Sequence, residues 1–370
     1  MEDKEYMQTA IELARQGIGS VEPNPAVGCI IVKDSEIVGR GRHEHFGGPH
    51  AEINALSDCR ANGIDPAGAT MYVTLEPCRH VGKTAPCSEA VIEAQISKVF
   101  VAAGDPSEHV AGGGIEQLKR AGIEVQVGLC RKQARLLNAG FFKHAETRRP
   151  WVIAKWAQSA DGFLAGKTRR WITNEASRRD VHRQRRRCQG ILVGVDTVIA
   201  DDPVLTVRIE GLNWPRQPLR IVLDGSLRIS AGANVLDTQQ APTLMVITSG
   251  TLQRQAKRIR SLAAAGVEIL AVAHDDKGRC DLGQLLDELG RRGIQQLLAE
   301  GGRDVLNSFL QQDLVDEVRV YISPEPLASD GTVRISEAME QAGDKTHLWY
   351  AREQDFDGDR CISGMVGEIG

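Results

Sequence analysis

His50-Ala51-Glu52, Glu76-Pro77-Cys78 and Pro86-Cys87 carry the sharpest chemical signal in the chain. One imidazole and two thiolates can hold a catalytic zinc ion, which keeps three protein ligands and one open position for water. His50, Cys78 and Cys87 are the expected ligands. Glu52 is not a ligand in this reading. Its carboxylate takes a proton from the activated water and hands it to a departing nitrogen, a general acid–base role. Residues i and i+2 of a helix lie about 200° apart, so His50 and Glu52 cannot share a side face. Both can reach a site beyond a helix N-terminus, and Pro49 favours a helix start at that point. Cys87 likewise stands just before a predicted helix from Ser88, where the positive helix end favours a thiolate. Taken singly, each residue reads as a loop histidine or a buried thiol. The ordered set predicts zinc.

The elements that must position these groups alternate helix with strand. Tyr6, Met7, Ala10, Ile11, Leu13 and Ala14 recur at helical spacing. Residues 27–32 read as a buried strand with a hairpin partner at 37–39, and 51–56 as a helix. Strands at 70–75 and 99–102 flank a helix at 88–96. A helix follows from Gly112 to Ala121, then a strand from Gly122. This alternation implies an α/β layer fold. Pro150 disfavours helix for Arg149, and the polar stretch before it predicts a boundary, giving domains 1–147 and 150–370. In the second, strands are expected at 151–154, 190–194, 219–223, 243–248, 267–272, 294–299 and 317–322. Helices are expected at 177–187 and 282–292, with final strands after Glu340.

Composition narrows the function. The 370 residues are 42% hydrophobic and 25% charged, as in soluble globular proteins. Aromatics make up 4% and the net charge is −4, which argues against a stacking or basic nucleic-acid surface. No apolar run approaches the ~18–20 residues of a membrane span. The acidic start, Met1 to Glu5, does not resemble a signal peptide. A cytoplasmic protein is expected. Eight cysteines are too sparse for a disulfide scaffold, so most are predicted to be plain buried thiols. Gly112-Gly113-Gly114 lacks a dinucleotide fingerprint and is predicted to be a loop cap. The six arginines of residues 178–187 are expected to face solvent, with one or two serving a substrate phosphate.

The order His-x-Glu, Pro-Cys, Cys matches the signature of zinc deaminases, although their usual Cys-x-x-Cys is here expanded to eight intervening residues. The expanded loop 77–87, with Pro23-Asn24-Pro25-Ala26-Val27-Gly28 and Gly47-Gly48-Pro49-His50-Ala51-Glu52, resembles the bifunctional deaminase–reductases of riboflavin biosynthesis. Lys155-Trp156-Ala157-Gln158-Ser159-Ala160-Asp161-Gly162, the Gly194–Arg208 region and Glu300-Gly301-Gly302-Arg303 resemble the reductase half of that family, so the likeness spans nearly the whole chain. It implies a cytidine-deaminase-like three-layer α/β domain followed by a dihydrofolate-reductase-like domain. It also implies zinc, NADPH and a small phosphorylated pyrimidine substrate. The implied reactions are hydrolytic deamination of 2,5-diamino-6-(5-phosphoribosylamino)pyrimidin-4-one and NADPH-dependent reduction of the ribosyl group to ribityl.

The resemblance also distributes roles. Asn24, His43, His80 and Lys83 are implied to meet the deaminase substrate. Gln158, Trp171, Thr173, Thr197, Asp201, Gly301, Gly302, Arg303, Asp304, Val305, Leu306, Asn307 and Ser308 are implied to meet NADPH. Arg169, Arg185, Leu205, Arg208 and Glu300 are implied to meet the reductase substrate, Arg185 and Arg208 suiting bidentate recognition of phosphate. Lys155 and Asp201 are the expected catalytic groups for ring opening and imine polarisation. A homo-oligomer through the reductase domain is expected, with no nucleic-acid or membrane partner. The competing readings are a tRNA or free-base zinc deaminase with an accessory domain, and a zinc-stabilised binding module. The first predicts a basic aromatic surface and the second a closed four-ligand site with no use for Glu52.

Overall fold

The computed structural model describes residues 1–79, 86–107, 112–212, 214 and 216–368. These form two compact units, Met1–Thr147 and Arg148–Glu368.

The first unit contains α1 (Asp3–Arg15), β1 (Gly28–Lys33), β2 (Glu36–Arg42), α2 (Ala51–Ala61), β3 (Thr70–Leu75), α3 (Cys87–Glu93), β4 (Lys98–Ala103), α4 (Gly113–Arg120), β5 (Glu124–Val127), α5 (Arg131–Leu137) and α6 (Ala139–Thr147). The sheet order is β2-β1-β3-β4-β5. β1 is antiparallel to β2 and β3, and β3, β4 and β5 run parallel. Alternate strand residues point to opposite faces, so the sheet builds two cores. Ile30, Tyr72 and Phe100 meet Met7 and Ile11 of α1 on one face. Ile31, Val73 and Val101 meet Leu56 of α2, Val91 of α3 and Leu118 of α4 on the other. Each large side chain so buried contributes about 1.5–3 kcal/mol. The result is the expected three-layer α/β arrangement.

The second unit contains β6 (Trp151–Gln158), β7 (Phe163–Gly166), α7 (Glu175–Arg187), β8 (Gly190–Gly194), α8 (Val195–Asp201), β9 (Leu219–Leu223), β10 (Thr243–Thr248), α9 (Ser249–Arg254), α10 (Ala256–Ala264), β11 (Glu268–Val272), α11 (Leu282–Arg291), β12 (Gln296–Ala299), α12 (Arg303–Gln311), β13 (Glu317–Ile322), β14 (Gly331–Arg334), α13 (Glu337–Gly343), β15 (Trp349–Phe356) and β16 (Asp359–Met365). Nine strands form one sheet in the order β11-β10-β9-β8-β12-β6-β13-β16-β15, and β14 pairs with β7. The run from β11 to β13 is parallel, and β16 and β15 add antiparallel strands. Parallel strands are covered on both faces and read as continuous apolar runs. Val152, Leu297 and Leu244 pack under α11 and α12, whereas Ile191, Val222 and Met245 face Ile229 and Leu262.

The expected strands at 190–194, 219–223, 243–248 and 317–322 form with those bounds, and the tail forms its strands. α7 starts two residues before the expected 177 because the Asn174 side chain accepts the Ser177 N–H and caps it. α8, the α5–α6 pair and the small β7–β14 sheet lie outside the elements expected from the sequence. Among the described residues, no helix is long and apolar enough to cross a membrane.

Candidate active sites: a metal centre and a cationic cavity

Three elements deliver the metal ligands. His50 is the N-cap of α2, Cys87 is the first residue of α3, and Cys78 follows the end of β3. Their ligand atoms all lie within 4.8 Å of one another. His50 Nδ1 is 3.1 Å from Cys87 Sγ and 3.5 Å from Cys78 Sγ. The donor set fits zinc. The Cys87 thiol hydrogen-bonds Cys78 and draws that group down to about 4, while Cys78 and burial push Cys87 up. Two sulfurs this close cannot both be thiolates unless a cation lies between them. Glu52, on the first turn of α2, is 3% exposed and in hydrogen-bonding contact with Cys87.

The surroundings fix these ligands. Glu76 is buried, and its carboxylate accepts four backbone N–H groups: Asp105 at 3.2 Å, Gly112 at 3.1 Å, Gly114 at 3.0 Å and Ile115 at 3.2 Å. The Gly112-Gly113-Gly114 start of α4 is therefore occupied by a protein carboxylate, which suits a helix N-terminus. A Cβ on Gly114 would lie 1.8 Å from the Pro77 carbonyl, so only glycine lets the strand end pass there. Ser88 N–H and Oγ both donate to the Cys78 carbonyl. His43 is buried and neutral, its pKa lowered chiefly by burial. Its Nδ1 donates to the Pro49 carbonyl at 2.9 Å, which leaves Nε2 to accept from Asn24 Nδ2 at 3.2 Å. His43 thus ties Asn24 to the entry of α2. His80 and Lys83 lie outside the described residues.

The second unit opens a cavity of about 570 Å³ at the C-terminal ends of its parallel strands, where α/β sheets bind ligands. Lys155, Arg185, Asp201, Arg208 and Glu300 meet in its wall. Arg185 grips Glu300 with two donors, Nε at 2.6 Å and Nη2 at 2.9 Å, and Lys155 Nζ stands 3.8 Å from the same carboxylate. Burial works against ionised Glu300, but Arg185 and Lys155 win and hold it at about 2. Burial lowers Lys155 and raises Asp201. Leu205, also in the wall, takes a left-handed φ of 54°, a strained conformation of the kind that clusters at functional sites.

Trp171, Thr173, Thr197, Gly301 and Gly302 line the same cavity. Trp171 is exposed and flanked by the guanidinium groups of Arg170 and Arg178. α12 has no side-chain cap, so its first-turn N–H groups stay open to an anion beside Gly302. Gly302 N–H donates to Thr197 Oγ1 at 3.0 Å. These features fit a dinucleotide.

Several expected contacts are not brought to the cavity. Gln158 takes the Trp156 indole N–H and lines a separate cavity of about 540 Å³. Arg169 pairs with Glu325 instead. Leu306 is fully buried in the apolar core, because a helix packed on a sheet cannot show every side to a ligand. Arg303 pairs with Asp304 and both are exposed, Val305 packs on Gly301, and Ser308 bonds Arg279. Asn307 is absent from the wall. Conversely, His182, Arg170, Arg178 and Tyr321 line the cavity without having been assigned a role. The i, i+3 spacing of His182 and Arg185 was the available signal.

Residues 150–349 match the RibD C-terminal domain, and residues 1–103 match the cytidine and deoxycytidylate deaminase zinc-binding region. Riboflavin biosynthesis protein RibD of Aquifex aeolicus is 43% identical over 325 residues, 87% of each chain. That of Actinobacillus pleuropneumoniae is 41% identical over 361 residues, 94% of this chain and 93% of its own. The solved RibD of Acinetobacter baumannii aligns with a TM-score of 0.80 at 37% identity over 98% of both chains. The Thermotoga maritima diaminohydroxyphosphoribosylaminopyrimidine deaminase/5-amino-6-(5-phosphoribosylamino)uracil reductase aligns with a TM-score of 0.78 at 32% identity, again over 98% of both. The cofactors are zinc in the first unit and NADPH in the second. With its zinc-fitting ligand triad and its reductase cavity on one polypeptide, the chain belongs to the RibD family, the bifunctional deaminase–reductases of riboflavin biosynthesis.

Proposed function

We propose that residues 1–147 deaminate 2,5-diamino-6-(5-phosphoribosylamino)pyrimidin-4-one and that residues 150–370 reduce the deaminated product. The observation that carries this reading is the His50, Cys78, Cys87 cluster with buried Glu52 beside it. His50, Cys78 and Cys87 would hold zinc, which would supply an activated water. Glu52 would accept a proton from the attacking water and return it to the leaving amine, so that water enters, ammonia leaves and a carbonyl replaces the amine. Asn24, oriented by His43, hydrogen-bonds the pyrimidine. His80 and Lys83 complete the substrate contacts, Lys83 as a point charge for phosphate.

In the second unit Gly301, Gly302 and the open first turn of α12 would receive the cofactor's phosphates, and Thr197, Thr173 and Trp171 of the same cavity would help hold it. NADPH, when bound, would supply the hydride. The ribosyl ring would open to an imine, whose carbon would accept the hydride and whose nitrogen would accept a proton. Lys155 and Asp201 serve this proton movement from the cavity wall, where burial favours their neutral forms. Leu205, Arg208 and the Arg185–Glu300 pair position the substrate. The enzyme works in the cytoplasm as a homo-oligomer assembled through its second unit.

The test supplies the diaminopyrimidine with NADPH and follows ammonia and NADPH together. One ammonia released per NADPH oxidised is expected. NADPH oxidation without ammonia, or ammonia from a substrate that is never reduced, overturns the two-step assignment.

A further inference from the structure

Arg185 and Arg208 are the cations that the sequence offers to the substrate's phosphate, and the structure treats them differently. Arg185 is committed internally, to Glu300 through Nε and Nη2 and to the Thr206 carbonyl through Nη1 at 3.2 Å. The Arg208 guanidinium donates through Nη1 to the Thr206 hydroxyl at 2.9 Å, with Nε and Nη2 uncommitted among the described residues.

His182 lies three residues before Arg185 on α7 and lines the same cavity. Its ring is pinned to the loop that carries Arg208. The Arg208 backbone N–H donates to Nδ1 at 3.2 Å, and the Thr206 carbonyl is a hydrogen-bond acceptor for the ring in the absence of an anion. A neutral imidazole whose Nδ1 accepts a hydrogen bond carries its proton on Nε2. The charges around it are Arg185 from its own helix, Arg208 from the loop and Glu300 from the end of β12. Burial and the two cations hold the ring neutral, with its pKa lowered to about 4. A neutral donor beside Arg208 adds a hydrogen bond for an anion without placing a third cation there in the free enzyme.

We propose that His182 is a specificity-determining residue of the reductase, which joins Arg208 in binding the phosphate of the substrate. This rests on the reductase reading above. Hydrogen bonds to a charged group are the strong ones, so the loss is measurable against a substrate that lacks the charge.

The experiment compares the phosphorylated pyrimidine with its dephosphorylated form in the reductase assay. In His182→Ala the KM for the phosphorylated form rises about tenfold, with kcat, the KM for NADPH and the KM for the dephosphorylated form each within about twofold. His182→Gln, which keeps a donor, recovers most of the loss. Equal losses for both forms, or no loss for either, overturn the assignment. A second measurement needs no variant. The His182 ring resonance of the native protein shifts as inorganic phosphate is added, saturating where phosphate competes with substrate. No shift at those concentrations overturns it as well. Native enzyme that reduces neither form overturns the reductase reading itself, a result distinct from loss of the His182 role alone.

Discussion

At the scale of single residues, Glu52, Glu76 and Glu300 show how surroundings give one side chain three uses. Glu52 is placed to move a proton. Glu52→Gln removes the base and leaves the three ligands, so ammonia release falls at least about 100-fold while the zinc content stays unchanged. Undiminished ammonia release rejects the role. Glu76 is an anchor for four backbone N–H groups between the end of β3 and the start of α4. A glutamine there loses the charge and turns an N–H₂ toward donors. We expect a loss on the order of 2–4 kcal/mol in stability, read by thermal unfolding, with weaker retention of zinc. Glu300 is an ionised group in a buried cluster. Its pKa is about 2 in the folded protein against 4.5 for an ordinary glutamate. A depressed folded pKa contributes stability that is present above the unfolded value and is lost as pH falls through the folded one. Between about pH 4.5 and 2 the second unit should therefore lose on the order of 3 kcal/mol from this group. All five tryptophans lie beyond residue 147, so tryptophan fluorescence during urea unfolding reports this unit alone. Glu300→Gln should flatten that part of the acid slope, and an unchanged slope would refute the assignment.

At the scale of elements, the sites depend on how closely backbones approach. α2 lies on β2 across Gly41, where an added Cβ would sit 2.1 Å from the Ala51 carbonyl oxygen and 2.3 Å from the Ala55 nitrogen. Neither backbone atom can yield. Gly41→Ala must displace α2, and with it His50 and Glu52. The expected cost is about 1–3 kcal/mol, and zinc is lost more readily on dialysis against a chelator. Retention equal to the native protein counts against this packing. Arg220 on β9 performs a comparable service in the second unit. It is fully buried and donates to the carbonyls of Val204, Asn234, Asp237 and Ala241 and to the Thr243 hydroxyl. Val204 and Asn234 both belong to the cavity wall. Arg220→Met leaves those buried acceptors without donors, at a cost of at least about 3 kcal/mol.

At the scale of the whole molecule, each unit has its own sheet, its own cores and its own chemistry. Among the described residues, the His50, Cys78, Cys87 cluster is the single group with metal-ligating geometry, and it lies in the first unit. Removing the metal with a chelator should abolish ammonia release. Oxidation of NADPH by the already deaminated pyrimidine should stay within about twofold of the untreated rate. Parallel loss of both activities would mean that the units are not chemically independent.

The sequence by itself determined the two-part α/β order, the buried parallel strands and the metal centre. Each of these leaves a local mark: continuous apolar runs, prolines at helix starts, and ligands whose chemical types are rare in combination. It did not determine which residues of an arginine-rich helix reach a ligand. Arg185 and His182 face the cavity because Asp180 on α7 takes the Tyr321 hydroxyl at 2.6 Å and Arg319 at 3.1 Å from β13. That contact, 141 positions apart in the chain, sets the helix's rotation, and no periodicity within the helix can supply it. Arg169 is drawn to a distant partner, Glu325, whereas Gln158 bonds Trp156 two residues before it on the same strand. A segment's kinship shows that it lies near a site, but its side chains are aimed by the partners they meet, in the case of Arg169 the distant Glu325. Local chemistry chose the ligands, and long-range packing chose the directions in which they point.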